Sequence, residues 1–569
     1  MANGATTAAA TPPVVKPKVS GEDWIMRAVL MGIGLYLTVS ILLPLYAILS
    51  KSFKNADGVY IGLSNYAKFF STPALFWSIQ NSLTVTLICC VIVVTLAFIY
   101  AYALTRTSMP FKGLFKGVAL LPILMPSLLP AIALVYLFGH QGIFKSWLMG
   151  HELYGPIGIV MGECFYVFPH VLTILLIAMA NSDARLYEAS DALGASKIKT
   201  FFTVTLPSVR YGLVSAFFVC FTLVITDFGV PKVVGGKYNV LATDIYKQVV
   251  GRQDFEMGAV VSMILLLPAL FAFAADRIVQ RRQVALLSAR AVPFEPKKDR
   301  VVDYGMLAFC SLIGVILVSV LTMAAFASYA TFWPYNLTLS LKHYAFDMMD
   351  GGGWDSYYNS IELAAWTAVI GTAMVFTGAY LVEKSKGFKT GRAAMQLLCM
   401  VPMAVPGLVL GLAYVFFFNA PGNPLGFLYH TMPILVICTV THFYTVSHLT
   451  AITALKQLDA EFESVSQSLK VPFYKTFFRI TVPVCMPAIL DISMYLFVNA
   501  MTTVSAVVFL YSPDTALASI AILNMDDAGD VAPAAAMGMM IVGTAAAVRL
   551  VHAVLSRGIL ARTQAWRKR

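Results

Sequence analysis

The chain has 569 residues, of which 59% are hydrophobic and only 12% are charged, and its mean hydropathy is +0.77. Soluble domains carry about a quarter charged residues, so this composition excludes a disordered chain and argues against a string of soluble domains. The eight Cys residues are scattered and form no C-x-x-C or Cys/His cluster, which indicates small buried hydrophobes rather than disulfides or metal ligands. The composition predicts a polytopic membrane protein.

Apolar segments of about 20 residues, long enough to cross a bilayer, recur along the whole chain. We predict an all-α fold with twelve transmembrane helices, because irregular backbone cannot face lipid. The predicted spans are 28–50, 81–104, 114–138, 156–180, 209–226, 257–275, 304–328, 360–382, 394–418, 432–455, 486–510 and 532–555. Pro122, Pro126 and Pro130 in the third span, and Pro402 and Pro406 in the ninth, predict kinks.

The distribution of Lys and Arg predicts the orientation of these spans. Twelve spans put both termini on one side, and placing that side in the cytoplasm puts most of the 40 Lys and Arg residues there, as the positive-inside rule requires. The densest basic stretches, 277–300, 384–392 and 557–569, all fall on that side. The net charge of +11 is then explained by topology and attraction to anionic lipid, without a nucleic-acid partner.

The chain contains one pattern twice, at an offset of 276 to 278 residues. Asn81-Ser82 matches Asn359-Ser360, and residues 183–207 align without a gap on 459–483, with ten of the 25 positions identical. Six predicted helices separate the copies, an even number, so the two six-helix repeats are parallel. Duplication of an inert scaffold is the alternative, but the best-matched segment lies in water, where packing against lipid does not explain two retained copies.

The repeat and the charge distribution together predict the organisation of the chain. The predicted parts are a disordered tail at 1–26, a first repeat at 27–275 with its core at 77–275, a basic linker at 276–303, a second repeat at 304–556 with its core at 357–555, and a basic tail at 557–569.

Residues 184–206, between the fourth and fifth spans, are amphipathic and too charged to cross a membrane. Leu186, Leu193 and Ile198 gather on one helical face. Gly194 permits a helix end, and Pro207 is predicted to stop the segment before the next span. Two short helices joined at a glycine form an exposed knob, which is most simply a docking element for a partner protein.

Three features of this segment resemble the EAA loop of ABC-importer permeases: Glu188-Ala189-Ser190, then Gly194, then Leu206-Pro207. The resemblance implies a fused, two-repeat permease of a type I binding-protein-dependent importer in a bacterial inner membrane. It implies that the loop couples to an ATPase through the residues Glu188, Ala189, Gly194, Ala195, Leu206 and Pro207. The partners it implies are two copies of a cytoplasmic ABC ATPase and a periplasmic binding protein. The chain has no Walker-type motif, so ATP and Mg²⁺ are expected on the partner and no cofactor on this chain.

The second copy departs from the EAA pattern. Ser464 stands at the position of Glu188 and Lys470 at that of Gly194, while Glu463, one place early, is a candidate for the missing carboxylate. Glu463, Ser464, Leu469 and Pro483 are the coupling residues expected in this copy. The departure predicts an asymmetric pair of contacts with the ATPase subunits.

Polar residues in or near the spans are candidates for a substrate pathway. Burying a charge inside a membrane costs free energy, so a charge found there suggests a function. The candidates are Glu163, His170, Asp227 and Ser505; interhelical hydrogen bonds are the alternative explanation. Residues 227–283 resemble fused permeases assigned to 2-aminoethylphosphonate uptake, and 502–510 resemble a span of ferric-iron-type permeases. The resemblance thus implies 2-aminoethylphosphonate as the substrate, with ferric iron or another small solute as the alternative.

Two other classes of membrane protein compete with this interpretation. A twelve-helix secondary transporter also has parallel repeats, but the loop at 105–112 lacks the expected Gly/Asp/Arg-rich pattern and nothing would explain the two knobs. A membrane enzyme would need a catalytic cluster, and no H-E-x-x-H, Ser/His/Asp or Cys/His grouping is present in the sequence. We therefore expect a transport subunit and not an enzyme.

Overall fold

The computed structural model describes residues 21–180, 182–286, 292, 294–385, 388–459 and 461–563, and most of them are helical. Within these residues, eight helices are long and apolar enough to cross a membrane. Four bent helix pairs raise that number to twelve if each pair is one span. Each of the twelve predicted spans overlaps one of these eight helices or one of the four bent pairs.

The helices of the first repeat, in chain order, are α1 (Gly21–Leu37), α2 (Leu43–Ser52), α3 (Ser64–Ser71), α4 (Pro73–Arg106), α5 (Lys112–Ala119), α6 (Leu128–Phe138), α7 (Pro156–Ala180), α8 (Ala184–Ala192), α9 (Lys197–Thr200), α10 (Leu206–Thr226), α11 (Gly229–Val234), α12 (Leu241–Tyr246) and α13 (Phe255–Leu286). Those of the second repeat are α14 (Arg300–Tyr329), α15 (Gly353–Lys384), α16 (Lys389–Leu398), α17 (Gly407–Phe418), α18 (Met432–His442), α19 (Tyr444–Lys456), α20 (Glu461–Ser468), α21 (Phe473–Thr476), α22 (Val482–Val484), α23 (Met486–Thr502), α24 (Ala518–Ala528) and α25 (Val531–Thr563). A short antiparallel hairpin, β1 (Ala330–Phe332) and β2 (Asn336–Leu339), follows α14.

Prolines break the third and ninth predicted spans, as the sequence predicts. The chain bends by 104° before α6 and by 109° before α17. The residues that precede the two prolines at these bends, Met125 and Val405, adopt extended ψ angles of 137° and 116°. A proline ring disfavours the helical conformation in the residue before it, which explains both breaks. Met125 and Val405 are buried, so the irregular backbone is covered by protein rather than by lipid.

Pro207 does not stop the amphipathic segment, so that prediction was wrong. Residues 197–226 form one continuous helix, in which α9 and α10 are joined by a π-helical turn at 201–205. In this turn the Leu206 N–H donates to the Phe201 carbonyl, five residues back. The wider turn lets the helix continue where the ring of Pro207 would otherwise clash with the preceding turn. In the second repeat the same kind of π turn precedes Pro483, and the helix then bends by 76° near Cys485.

Several predicted boundaries also differ from the structure. The span predicted at 486–510 ends at Thr502, because Thr503 is extended and turns follow it. α1 begins at Gly21, inside the predicted tail, and α13 and α14 extend to Leu286 and from Arg300 into the predicted linker. The Asp299 carboxylate accepts from the Val301 and Val302 N–H groups and thereby caps α14. Residues 1–20 and 564–569 of the predicted tails lie outside the described residues.

The first membrane-spanning segment of each repeat, α1–α2 in the first and α14 in the second, packs against the other repeat. α2 lies between α13 of its own repeat and α17 of the second, while α14 lies between α25 of its own repeat and α6 of the first. A hydrogen bond of 2.9 Å joins the hydroxyls of Tyr36 and Thr441 across the same boundary. One continuous set of buried apolar side chains runs through both repeats. The repeats therefore share a core and form one body.

The repeated Asn-Ser pair fixes short helices at the end of the bundle opposite α8, here called the outer end. Ser82 accepts a hydrogen bond from the first residue of α12 at 2.8 Å, and Ser360 accepts one from the first residue of α24 at 2.8 Å. Asn81 and Asn359 donate to backbone carbonyls just before the same two helices. The two repeats thus use one polar motif, on α4 and on α15, to satisfy unpaired backbone groups at equivalent helix starts.

Candidate coupling site

α8 and α9 form the knob that the sequence predicts, and Gly194 lies at the turn between them. Gly194 has φ +68°, a left-handed conformation that glycine adopts without steric cost. The next N–H, of Ala195, donates to the Ser190 carbonyl at 3.1 Å, which closes the end of α8. The hydroxyls of Ser190 and Thr200 pair at 2.7 Å and hold the two helices together. The local sequence therefore encodes a compact, defined turn.

The outward face of the knob is apolar. Leu186, Leu193 and Ile198 are 52%, 86% and 74% exposed, and Glu188 and Ala189 are exposed beside them. These are the side chains that the helical spacing places on one face, and no other part of the described chain covers them. Contiguous exposed apolar surface rimmed by charges is typical of a protein-binding site.

A buried arginine attaches this knob to the end of α4. The Arg106 side chain donates to the Met179 carbonyl at 2.7 Å and to the Tyr187 hydroxyl at 3.2 Å. Its guanidinium also stacks on the rings of Tyr187 and Phe294, at 5.2 and 4.8 Å. Since Tyr187 belongs to α8, Arg106 links this knob to α4.

The segment before α14 runs along the side of the same knob. Lys297 forms an ion pair of 2.5 Å with Asp191, and Lys197 forms another with Asp299. These pairings raise the pKa of both lysines, and the Lys197 ammonium holds the pKa of Asp299 below its ordinary value. The Ala184 N–H donates to the Val292 carbonyl at 2.9 Å. The described part of the connection between the repeats thus packs against the first knob and is held there by two ion pairs and a backbone hydrogen bond.

The second knob, α20 and α21, has the same backbone geometry although its sequence departs from the pattern. Lys470, at the position of Gly194, is also left-handed, with φ +54°. The Val471 N–H donates to the Ser466 carbonyl at 2.9 Å, and the hydroxyls of Ser466 and Thr476 pair as those of Ser190 and Thr200 do. Leu469 is 70% exposed, like its counterpart Leu193. The backbone of the two knobs is therefore alike, and their asymmetry is confined to side chains.

Glu463 does not take the place of Glu188, contrary to the prediction. Its carboxylate forms an ion pair of 3.1 Å with Lys384, at the end of α15, and both side chains are mostly buried. At offset 276 Glu463 corresponds to Tyr187, and at offset 278 Lys384 corresponds to Arg106. Lys384 and Glu463 therefore form the anchor of the second knob. The Ser464 side chain lies outside the described residues.

Of the remaining predicted coupling residues, Ala195 lies in the turn between α8 and α9, and Leu206, Pro207 and Pro483 lie where a knob joins its long helix. Ala195 and Leu206 are half-buried, Pro207 is exposed, and Pro483 is half-buried. Leu206, Pro207 and Pro483 follow the knobs rather than forming their outward faces. Leu206, Pro207 and Pro483 are therefore part of the connection between knob and span.

The structure brings together two of the four predicted pathway residues. Glu163 in α7 is completely buried, and its carboxyl group lies beside that of Asp227, which follows α10. His170 lies against Tyr166 instead, with ring centres 5.9 Å apart. Ser505 lies in the second repeat against Gly407, where an added β-carbon would come within 2.4 Å of its hydroxyl. In the described part of the chain, no three His, Cys, Asp or Glu side chains form a group that could hold a metal ion.

Sequence reasoning missed both anchors, Arg106 with Tyr187 and Lys384 with Glu463. A basic residue at the end of a span is explained by topology alone, so neither Arg106 nor Lys384 attracted a functional interpretation. The available signal was that both residues align in the repeat. It was obscured because the offset is 278 in the second span of the repeat, up to Arg106, and 276 from the third span onward, including the knobs.

Both repeats are similar to a known protein family. The model of the family described as binding-protein-dependent transport system inner membrane component matches residues 93–285 and 374–561. A protein named as a ferric transport system permease in Haemophilus influenzae is 30% identical over 527 residues, covering 90% of this chain and 82% of that one. The ferric transport system permease of Actinobacillus pleuropneumoniae is 29% identical over 556 residues, covering 94% and 79%. A bacterial ABC transporter that imports alginate matches with a TM-score of 0.40 and 15% identity, over 46% of this chain and 96% of that one.

The family model matches each repeat once, and the two relatives align with nearly the whole chain. These relatives are transport subunits rather than enzymes. The chain therefore belongs to the binding-protein-dependent transport system inner membrane components and is a multi-pass permease of a type I ABC importer.

Proposed function

We propose that α8–α9 and α20–α21 are the docking elements through which two copies of a cytoplasmic ABC ATPase drive this permease. The observation that carries the proposal is the pair of equivalent knobs, each with an exposed leucine on its outward face and a buried anchor behind it. An apolar side chain as exposed as Leu193 or Leu469 gains free energy when a partner covers it.

The attachments of the knobs explain how movement of an ATPase reaches the membrane helices. The first knob continues directly into α10, and it is also fastened to α4 through Arg106. The second is fastened to α15 through Lys384 and joins α23 at a bend. Displacing a knob therefore displaces two long helices of its repeat together, which is what a switch between inward- and outward-facing states requires.

In this proposal the twelve apolar segments cross a bacterial inner membrane, and both termini and both knobs lie in the cytoplasm. The outer end, with α3, α12, α24 and the hairpin of β1 and β2, then faces a periplasmic binding protein. ATP and Mg²⁺ act on the partner ATPase. The concentration of Lys and Arg on the side of the knobs supports this orientation.

We propose ferric iron as the first candidate for the transported cargo. The two relatives that align with at least nine-tenths of this chain are both named as ferric transport permeases. The second candidate is 2-aminoethylphosphonate, which the sequence of residues 227–283 favours by resemblance. Uptake by the complete importer, with its own binding protein loaded with ⁵⁵Fe³⁺ or with labelled 2-aminoethylphosphonate, distinguishes them.

Charge placed on the outward faces tests the docking proposal. Leu193→Asp and Leu469→Asp each put a carboxylate where the ATPase is expected to bury a leucine, so we expect each to lower copurification of the ATPase at least tenfold. Leu341→Asp is the matched control, because Leu341 is as exposed as Leu469, at 69% against 70%, but lies near the hairpin of the outer end. Full ATPase binding and uptake by both knob variants would contradict the proposal.

A further inference from the structure

A pair of carboxyl groups lies deep among the apolar helices of the first repeat. Glu163 has no accessible surface, and no N–H or O–H group of the described residues donates to either of its oxygens. Its polar neighbour is the carboxyl group of Asp227. Neither residue forms an ion pair with a Lys or Arg of the described chain. Ionisable groups in such surroundings are expensive to bury, so their presence calls for a specific role.

The second repeat shows that the fold itself does not require these carboxyl groups. At offset 276, Thr439 corresponds to Glu163 and Thr503 to Asp227. The Thr439 hydroxyl donates to the carbonyl of Leu435 on its own helix at 2.7 Å, and the equivalent helices form with neutral residues. A scaffold built twice, once with two carboxyl groups and once with two threonines, needs the carboxyl groups for something other than packing.

The pair lies near the boundary between the repeats and is not sealed on all sides. The Asp227 carboxylate accepts from the Val230 N–H at 2.9 Å and retains accessible surface. Tyr166, one turn after Glu163, lies close to Tyr495 of α23 in the second repeat, and both phenols are partly accessible. A solute that passes between the repeats at this depth would meet carboxyl and phenol oxygens rather than basic groups.

We infer that Glu163 and Asp227 together bind the positively charged part of the cargo, a metal cation or an ammonium group, as it crosses between the repeats. The inference rests on the proposed import function and deepens it by naming the cargo's class. Carboxylate oxygens accept hydrogen bonds and coordinate hard cations, and two of them without a basic partner attract a cation and repel an anion. A cation bound there would also compensate the cost of burying the pair.

The test replaces the pair with the residues that the second repeat already uses. The double variant Glu163→Thr, Asp227→Thr is reconstituted in vesicles with the ATPase and the binding protein, and the isosteric pair Glu163→Gln, Asp227→Asn serves as a second variant. Thr439→Val in the second repeat is the matched control. The probes are binding protein loaded with ⁵⁵Fe³⁺, with labelled 2-aminoethylphosphonate or with labelled sulfate.

We expect both double variants to insert normally, to keep ATP hydrolysis stimulated by loaded binding protein within twofold of wild type, and to lose at least tenfold in uptake of the cationic or amine-bearing probe. Thr439→Val should keep wild-type uptake. Undiminished uptake by the double variants overturns the inference and leaves the proposed function standing. Wild-type uptake of sulfate alone, or loss of stimulated ATP hydrolysis in both double variants, also overturns it. A wild-type complex without stimulated hydrolysis would instead overturn the proposed function.

Discussion

Replacing Arg106 by alanine removes the attachment of the first knob to α4, and the structure sets the size of the effect. The side chain makes hydrogen bonds to the Met179 carbonyl and the Tyr187 hydroxyl, and it stacks on the rings of Tyr187 and Phe294. Hydrogen bonds from a charged group contribute about 1.5–3 kcal/mol each, and each stacking contact about 0.5–1 kcal/mol. Because these terms are not additive, we expect the attachment to weaken by about 3–4 kcal/mol, a factor of roughly 100 to 1,000.

Two measurements on the complete importer report whether the attachment of the knob to α4 is weakened. Amide hydrogen exchange of α8 should accelerate by that factor in Arg106→Ala, and hydrolysis of ATP should no longer respond to loaded binding protein. Arg210→Ala is the matched control, since Arg210 also stacks on a tyrosine, at 4.7 Å, and donates to its hydroxyl, but is exposed and anchors nothing. If Arg106→Ala kept slow exchange and normal coupling, force would not pass through this contact and the proposed route would be refuted.

Three further predictions concern the turn of the knob, the outer end and pH. Gly194→Val has open space for its side chain but must adopt φ +68°, so the turn should lose about 1–2 kcal/mol and uptake should fall while insertion stays normal, as measured by surface labelling and transport. Lys232 and Asp527 join the repeats at the outer end at 2.8 Å, and Asp527→Asn should raise hydrolysis of ATP without binding protein, whereas unchanged basal hydrolysis would exclude a latch there. Burial raises the pKa of Asp244 to about 6 from 3.8; the folded state therefore binds the proton more tightly, and stability should fall by up to about 3 kcal/mol as pH rises from 4 to 6. A thermal melting series in which Asp244→Asn showed the same pH dependence as wild type would contradict this assignment.

The sequence was sufficient for the class of protein, the repeat and the first knob. Composition and span length fix a polytopic helical protein, and a gapless match between 183–207 and 459–483 marks the segments that the structure shows as equivalent knobs. The kinks at Pro126 and Pro406 follow from the geometry of proline and are confirmed. The match to the permease family also excludes the two competing interpretations, a secondary transporter and a membrane enzyme.

What the sequence could not supply depends on tertiary contacts. Pro207 is read as a helix stop, but a π turn before it lets the helix continue. Lys470 is read as a departure from the glycine pattern, yet it adopts the same left-handed turn as Gly194, closed by the hydrogen bond from the Val471 N–H to the Ser466 carbonyl and by the Ser466–Thr476 hydroxyl pair. Glu463 is read as a displaced motif residue, whereas the fold aims it at Lys384. In each case the residue type suggests one role, whereas a contact with another part of the chain or a local change in the helix geometry determines the role that the structure shows.

Site-directed cross-linking in the assembled importer tests the central claim most directly. Most native cysteines of the described chain are buried, so Leu193→Cys and Leu469→Cys introduce two accessible thiols, one on each knob. We predict that each thiol cross-links to an ATPase subunit through a short bifunctional reagent, and that nucleotide changes the yield at both. Absence of cross-links at both positions in a complex that still imports its cargo would contradict the account.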